Sequence, residues 1–190
     1  MTATAPRVVA TGALVRLREK QIEDAAQDYG WRRDPELAAF DAAQPLSIPF
    51  RAFASSLAEE VQFPSPHRRS FAIETVEGGR HIGNVMYYGY DPQRRDAELG
   101  ITIGDRDYWS HGYGSDAVRA LLGHLFRQVG MLRIYLHTLT WNERARRSFE
   151  RAGFRRTDIV QRAGHEFVRM EITHDEYLEQ ERQRATDHGD

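Results

Sequence analysis

The chain has 190 residues, 41% hydrophobic and 11% aromatic, with a formal net charge of −2 at pH 7. That length and composition suit one soluble domain with a sizeable core, and the near-neutral charge argues against nucleic acid held by a basic surface. The absence of cysteine excludes disulfides, thiolate metal sites and a covalent cysteine nucleophile.

Residues 1–11 are small and polar and are expected to be disordered. Leu14, Val15 and Leu17 suggest a first strand. Ile22 to Arg33 reads as a helix that Pro35 ends or redirects, and Phe50 to Val61 as a second helix. Pro45, Pro49, Pro64 and Pro66 shape the loops of this region. Ser70 to Val76 is a strand closed by Glu77-Gly78-Gly79, a hairpin signal, and His81 to Tyr90 is its partner, ended by Asp91-Pro92.

From Asp96 the pattern sharpens. Leu99, Ile101 and Ile103 alternate with Glu98, Gly100 and Thr102, the period of a strand. A turn-rich segment ends in Gly112-Tyr113-Gly114-Ser115-Asp116, after which Val118, Leu121, Leu122, Leu125 and Val129 recur at helical spacing. Ile134, Leu136 and Leu139 mark a further strand, and Asn142 to Ala152 a further helix. Two strands joined through a helix are expected to lie parallel. Arg155 to Gln161 and Glu166 to Thr173 form a last pair around Ala163-Gly164. Thr173-His174-Asp175-Glu176 is a capping-box pattern that starts a C-terminal helix, with disorder expected from Ala185.

Glycines at 112 and 114 allow a tight turn and close approach to a ligand. They precede a helix N-terminus, whose free amides and dipole favour an anion such as a pyrophosphate. No Gly-Lys-Ser/Thr follows, so this is not a P-loop, and only two glycines of the dinucleotide fingerprint are present. Taken alone, the two glycines are a weak signal, better read as an ordinary strand-to-helix connection. The eight histidines show no His-x-x-x-His spacing, and no metal is expected. Lys20 is the one lysine, which reads as the base composition of a GC-rich bacterial genome and not as a functional signal. No stretch has the apolar length of a signal peptide or a membrane span, so a cytoplasmic protein is expected.

The order and spacing of Glu98-Leu99-Gly100, Trp109-Ser110-His111-Gly112-Tyr113-Gly114-Ser115-Asp116-Ala117, Asn142 with Ala145, and Glu150-Arg151-Ala152-Gly153-Phe154 carry a resemblance. The segment resembles the acetyl-CoA-binding core of the GNAT superfamily of N-acetyltransferases, and is most similar to the RimJ/RimL-like branch. The resemblance extends over residues 12–178, taken as one domain, and is specific over 96–154. It implies an α/β fold: a mixed, mostly antiparallel sheet of six or seven strands flanked by helices. It implies transfer of an acetyl group from acetyl-CoA to a primary amine, a protein N-terminus or a small molecule, by direct attack. No nucleic acid or membrane partner is implied; a homodimer fits the family, though the sequence does not give the oligomeric state.

The resemblance also implies roles. Glu98 is the expected general base, the alternative being an ion-paired carboxylate at a strand edge. Leu99, Ile101 and Ile103 belong to a strand that splays from its parallel neighbour and offers backbone amides to the pantetheine arm and the thioester carbonyl. His111, Gly112, Tyr113, Gly114 and Ser115 form the pyrophosphate turn, to which Arg106 and His111 add positive charge or are simply solvated. The family pattern has Gln or Arg where Trp109 stands. Asn142 is expected to contact CoA and not to cap its helix, because Thr140 and Glu143 offer a capping box of their own. Phe149 occupies the place where many relatives have a tyrosine that protonates the leaving thiolate, and phenylalanine cannot donate a proton. Ser148, about 100° round the helix, is expected to point off the active-site face. Arg144, Arg147 and Arg151 share a face read as solvated. Trp31, Phe40, Phe50, Phe53, Phe63, Tyr87 and Tyr88 fall where family acceptor sites form, and no acidic cluster there points to a polyamine or aminoglycoside. A non-catalytic CoA-binding regulator is the alternative that Phe149 suggests.

Overall fold

Short runs of alternating apolar residues build one sheet in the computed structural model, which describes residues 5–187. The strands are β1 (Val8–Thr11), β2 (Val15–Glu19), β3 (Arg69–Thr75), β4 (His81–Asp91), β5 (Asp96–Ile103), β6 (Arg133–Leu139), β7 (Arg155–Arg162) and β8 (His165–Thr173). They lie in the order β1-β2-β3-β4-β5-β6-β8-β7. Every neighbouring pair is antiparallel except β5 and β6, which are parallel as the intervening helix requires.

That helix, α4 (Tyr113–His124), crosses back over the sheet and continues into five residues of π-helical winding, Leu125–Val129. Its Val118, Leu121 and Leu122, with Leu125 beyond, are wholly removed from solvent in the main core. Each leucine buried in this way contributes on the order of 2 kcal/mol. The remaining helices are α1 (Ala25–Arg33), entered through a 3₁₀ turn at Ile22–Asp24, α2 (Pro35–Phe40), α3 (Phe50–Gln62), α5 (Glu143–Ala152) and α6 (His174–Asp187). Among the described residues no helix is long and apolar enough to cross a membrane.

Pro35 opens a helix as well as ending one. It sits at the first position of α2, where its missing N–H costs nothing, and the Asp34 carboxylate accepts from the Glu36 and Leu37 amides. The capping box at the start of α6 forms as its sequence predicts. Glu176 Oε2 accepts from the Thr173 amide at 2.8 Å, and Thr173 Oγ1 accepts from the Glu176 amide at 3.3 Å.

The sheet has eight strands, not six or seven, and the extra strand is β1 at 8–11, inside the segment expected to be disordered. Its Val9 and Ala10 pack against the core. The reason lies far away in sequence. Asp116, buried in the first turn of α4, accepts from the amides of Ala13, Leu14 and Val15 at 3.2, 2.7 and 3.1 Å, fixing the β1–β2 turn. At the other end α6 continues past Ala185 to Asp187. Residues 1–4 and 188–190, included in the tails expected to be disordered, lie outside the described residues.

Candidate active site

The site begins where two strands part. β5 and β6 pair at Asp96↔Arg133, Ala97↔Ile134 and Glu98↔Tyr135 and no further, although β5 runs to Ile103 and β6 to Leu139. On its other edge β5 stays paired with β4 as far as Gly83↔Ile103. Beyond Glu98, the backbone groups of β5 that face β6 therefore have no strand partner, and a cavity of about 500 Å³ opens there. Leu99, Ile101 and Ile103 form one wall, His137 and Thr138 of β6 another, and α5 and the end of α2 complete it.

The N-terminus of α4 meets this cavity at Gly114. Gly112, the residue before the helix, has φ 90°, a left-handed conformation costly for other residues, and no side chain caps the first-turn amides. Gly114 has an ordinary backbone; a Cβ added there would stand 3.5 Å from Ser148 Oγ. Ser115 Oγ lies 2.9 Å from that same hydroxyl. Tyr113 packs edge-on against Tyr108, with ring centroids 4.9 Å apart. His111 is exposed and does not line the cavity.

Four expectations for this region change. Arg106 reaches the cap of α2 instead of the turn: its guanidinium bonds Asp34 Oδ2 at 2.9 Å and Glu36 Oε2 at 2.7 Å. Asn142 lines the cavity but is itself the cap of α5, with Oδ1 accepting from the Ala145 amide at 3.2 Å. The competing box does not form, because Thr140 Oγ1 turns to the Glu166 carbonyl at 3.4 Å. Ser148 faces the cavity along with Phe149. The angle between them is as expected, but the cavity wraps far enough round α5 to take in both. Arg144 also leaves the solvated face that Arg147 and Arg151 keep. It lines the cavity, with its guanidinium carbon 3.6 Å from the Trp109 ring centroid and 4.8 Å from that of Phe40. Trp109 is fixed beneath it by donating Nε1–H to the Ile103 carbonyl at 2.7 Å.

Glu98 stands at the fork. Its register partners are Tyr88 on β4 and Tyr135 on β6, and His137, two residues further along β6, points the same way as Tyr135. His137 Nδ1 is 2.7 Å from Glu98 Oε1, with the imidazole 6% and the carboxylate 13% exposed. Burial, and then the neighbouring Glu98 charge, push the Tyr88 phenol above its ordinary value, so it stays protonated. Tyr135 is raised for the same two reasons. Arg162, at the end of β7, brings Nη1 to 4.0 Å from Glu98 Oε1. A carboxylate with an imidazole behind it and a cavity before it can accept a proton and pass it on. His137 was not singled out from sequence. Its one signal is the alternation on β6, where it falls between Leu136 and Thr138, both buried.

Known proteins share this architecture. The family described as "Acetyltransferase (GNAT) domain" matches residues 14–155. A curated relative, an uncharacterized N-acetyltransferase (p20) of Bacillus licheniformis, is 26% identical over 119 residues; the match covers 62% of this chain and 66% of that protein. Spermidine N-acetyltransferase from Vibrio cholerae, solved with CoA and spermine, superposes with a TM-score of 0.75 at 19% identity, over 86% of this chain and 98% of its own. An aminoglycoside acetyltransferase in complex with coenzyme A gives 0.70 at 22% identity, over 87% and 98%. At such identities the two structures speak for the fold.

Proposed function

The chain belongs to the acetyltransferase (GNAT) family, and we propose that it moves an acetyl group from acetyl-CoA to a primary amine by direct attack, without an acyl-enzyme. One observation carries the reading: the fork between β5 and β6 opens beside the uncapped N-terminus of α4, with a carboxylate at its apex. The surroundings suit an anionic thioester. The first turn of α4 offers amides and a positive dipole end, and Gly114 leaves room for close approach. Gly112, Gly114, Ser115 and the face of α5 would hold the CoA arm, and acetyl-CoA would supply the activated acyl group.

The chain's own groups divide the remaining work. Glu98, oriented by His137, takes the proton from the attacking amine. Those backbone amides of the Leu99 to Ile103 segment that point away from β4 would face the position where the carbonyl oxygen gains charge. Ser148 is the hydroxyl placed to hydrogen-bond the departing sulfur, which weakens the argument from Phe149 for a non-catalytic regulator. The pattern from Trp109 to Ala117 supports the RimJ/RimL-like branch, and a cytoplasmic homodimer belongs to the same proposal.

The test is release of CoA thiol from acetyl-CoA with a panel of primary amines, together with calorimetry of CoA on the parent and on Gly114→Val. Gly114 has an ordinary φ, so the variant is expected to fold and to bind CoA at least about tenfold more weakly, a loss of roughly 1.4 kcal/mol. Equal CoA affinity in a folded variant would remove the cofactor from this turn.

A further inference from the structure

Resting on that reading, we infer that the acceptor is a small amine carrying its own carboxylate, an α-amino acid with an apolar side chain, and not a polycation. The argument is one of charge. Two carboxylates, Glu98 and Asp41, line the cavity, and we take the part around Glu98 as the acceptor end. Arg162 Nη1 lies 4.0 Å from Glu98 Oε1, while burial raises the Asp41 carboxyl above its ordinary range and the charge of Arg32 only partly offsets this. A third guanidinium, Arg144, also lines the cavity; it stacks on Trp109 and has no carboxylate ion pair among the described residues.

A polyamine brings positive charges that would meet these arginines, and like charges placed face to face in a partly dry cleft are costly. An amino-carboxylate brings opposite charges on neighbouring carbons. Its ammonium fits beside Glu98 and its carboxylate beside Arg162, so one ligand occupies both halves of a loosely made ion pair. The Glu98–Arg162 pair suits exchange: Arg162 is 55% exposed and the separation is at the outer limit of a salt bridge. Arginine also grips a carboxylate through two parallel N–H bonds. The rest of the acceptor end is apolar, with Leu37, Phe40, Met86 and Phe167 as walls. The proton balance is simple. The bound ammonium gives one proton to Glu98 and attacks as the free amine; the second leaves as the amide forms, and the thiolate takes one up.

The experiment compares leucine, methionine and phenylalanine with their carboxamides, and with spermidine and kanamycin, by CoA release. The free acids are expected to show kcat/KM at least about tenfold above their amides, the equivalent of one charge-assisted hydrogen bond. That preference would run against intrinsic reactivity, since the amine of the amide is the less basic and more of it is free at neutral pH. Arg162→Gln is expected to raise KM for the acids about tenfold while moving KM for the amides less than about twofold. Turnover of the polycations in preference to the acids, or of amides as well as acids, would overturn the inference and leave acetyl transfer standing. If no amine is acetylated while CoA still binds, both fall together.

Discussion

Two clusters of charge lie on this sheet and differ in how they are finished. The first joins β2 to α1, β3 and β4. Arg18 reaches Asp24 through two bonds of 2.9 and 2.8 Å and Glu74 through a third of 2.6 Å. Lys20 bonds Asp28 and Asn84, and Asn84 closes the ring to Asp28 at 2.7 Å. Arg18, Lys20, Asp24 and Asp28 are all buried. The second is the group of Glu98, His137 and Arg162, joined by one short contact and one long one on a cavity that Arg32 and Asp41 also border. Charges of the first cluster are matched once Arg16, bonded to Glu74 at 2.7 Å, is counted with them, and those of the second keep capacity for something that enters. Charged residues in a fold thus separate into scaffold and site by the completeness of their pairing more than by their burial.

The largest expected effect breaks the first cluster. Asp24→Ala leaves Arg18 and Lys20 buried without that carboxylate, and loss of about 4 kcal/mol of stability is expected in urea unfolding, as for other broken buried pairs. Specific activity of the folded fraction should not change. The pH dependence follows from the same pairing. Burial works to raise the Asp24 pKa, but the Arg18 bond, the Lys20 charge and the Gln21 amide outweigh it and bring the value from 3.8 to about 2. The lowered value stabilises the fold above about pH 4, and that contribution is lost as pH falls through the interval down to about 2. The variant should therefore lose less stability across that interval than the parent does. A drop below about 1 kcal/mol at neutral pH would mean the cluster is not the scaffold its pairing indicates.

The second prediction sharpens the contrast. Glu98→Gln keeps shape and polarity but cannot accept a proton, so turnover is expected to fall about 100-fold, or roughly 3 kcal/mol in barrier. Stability should fall by no more than about 1 kcal/mol, because the amide oxygen can still accept from His137. A variant that unfolds like Asp24→Ala but keeps its turnover would place Glu98 with the scaffold and erase the distinction.

The same division explains what could be read from sequence. The segment from Asp96 to Phe154 was legible because its signals are local: alternation on β5, helical spacing on α4, and glycines where the chain turns. The parallel pairing of β5 and β6 follows from those alone. The acceptor end was not legible, since Arg32, Asp41, His137 and Arg162 come from four separate elements and none stands in a spaced motif. Arg106 misled for a related reason. Its partners Asp34 and Glu36 are 72 and 70 residues away, and only the fold brings them together. β1 was missed because what holds it is a carboxylate on α4. Asn142 and Ser148 show a subtler limit. Asn142 caps α5 because Thr140 is drawn to the Glu166 carbonyl, a contact between distant segments, and for Ser148 helix geometry gives the direction but not the width of the cavity it faces.

The Ser115–Ser148 pair stands between the two kinds of cluster, and it yields the smallest expected effect. The hydroxyls are 2.9 Å apart and so satisfy each other, yet Ser148 also lines the cavity. Either hydroxyl can donate in this pair; in the arrangement where Ser115 donates, Ser148 keeps its own proton for an acceptor in the cavity, and the departing thiolate is such an acceptor. The need is modest, because a thiol titrates near 8.5 and its anion leaves without full protonation. A net hydrogen bond of about 1.4 kcal/mol corresponds to roughly a tenfold fall in kcat for Ser148→Ala. KM for acetyl-CoA should be unchanged, since the bond strengthens only as the sulfur gains charge. Ser115→Ala acts through Ser148 alone and should cost less, about two- to threefold, while Ser148→Thr should restore most of the loss if its methyl group fits. A fall of several hundredfold in kcat for Ser148→Ala, with CoA binding intact, would make the serine an essential acid. An unchanged kcat would assign the pair to the scaffold and leave water to protonate the thiolate.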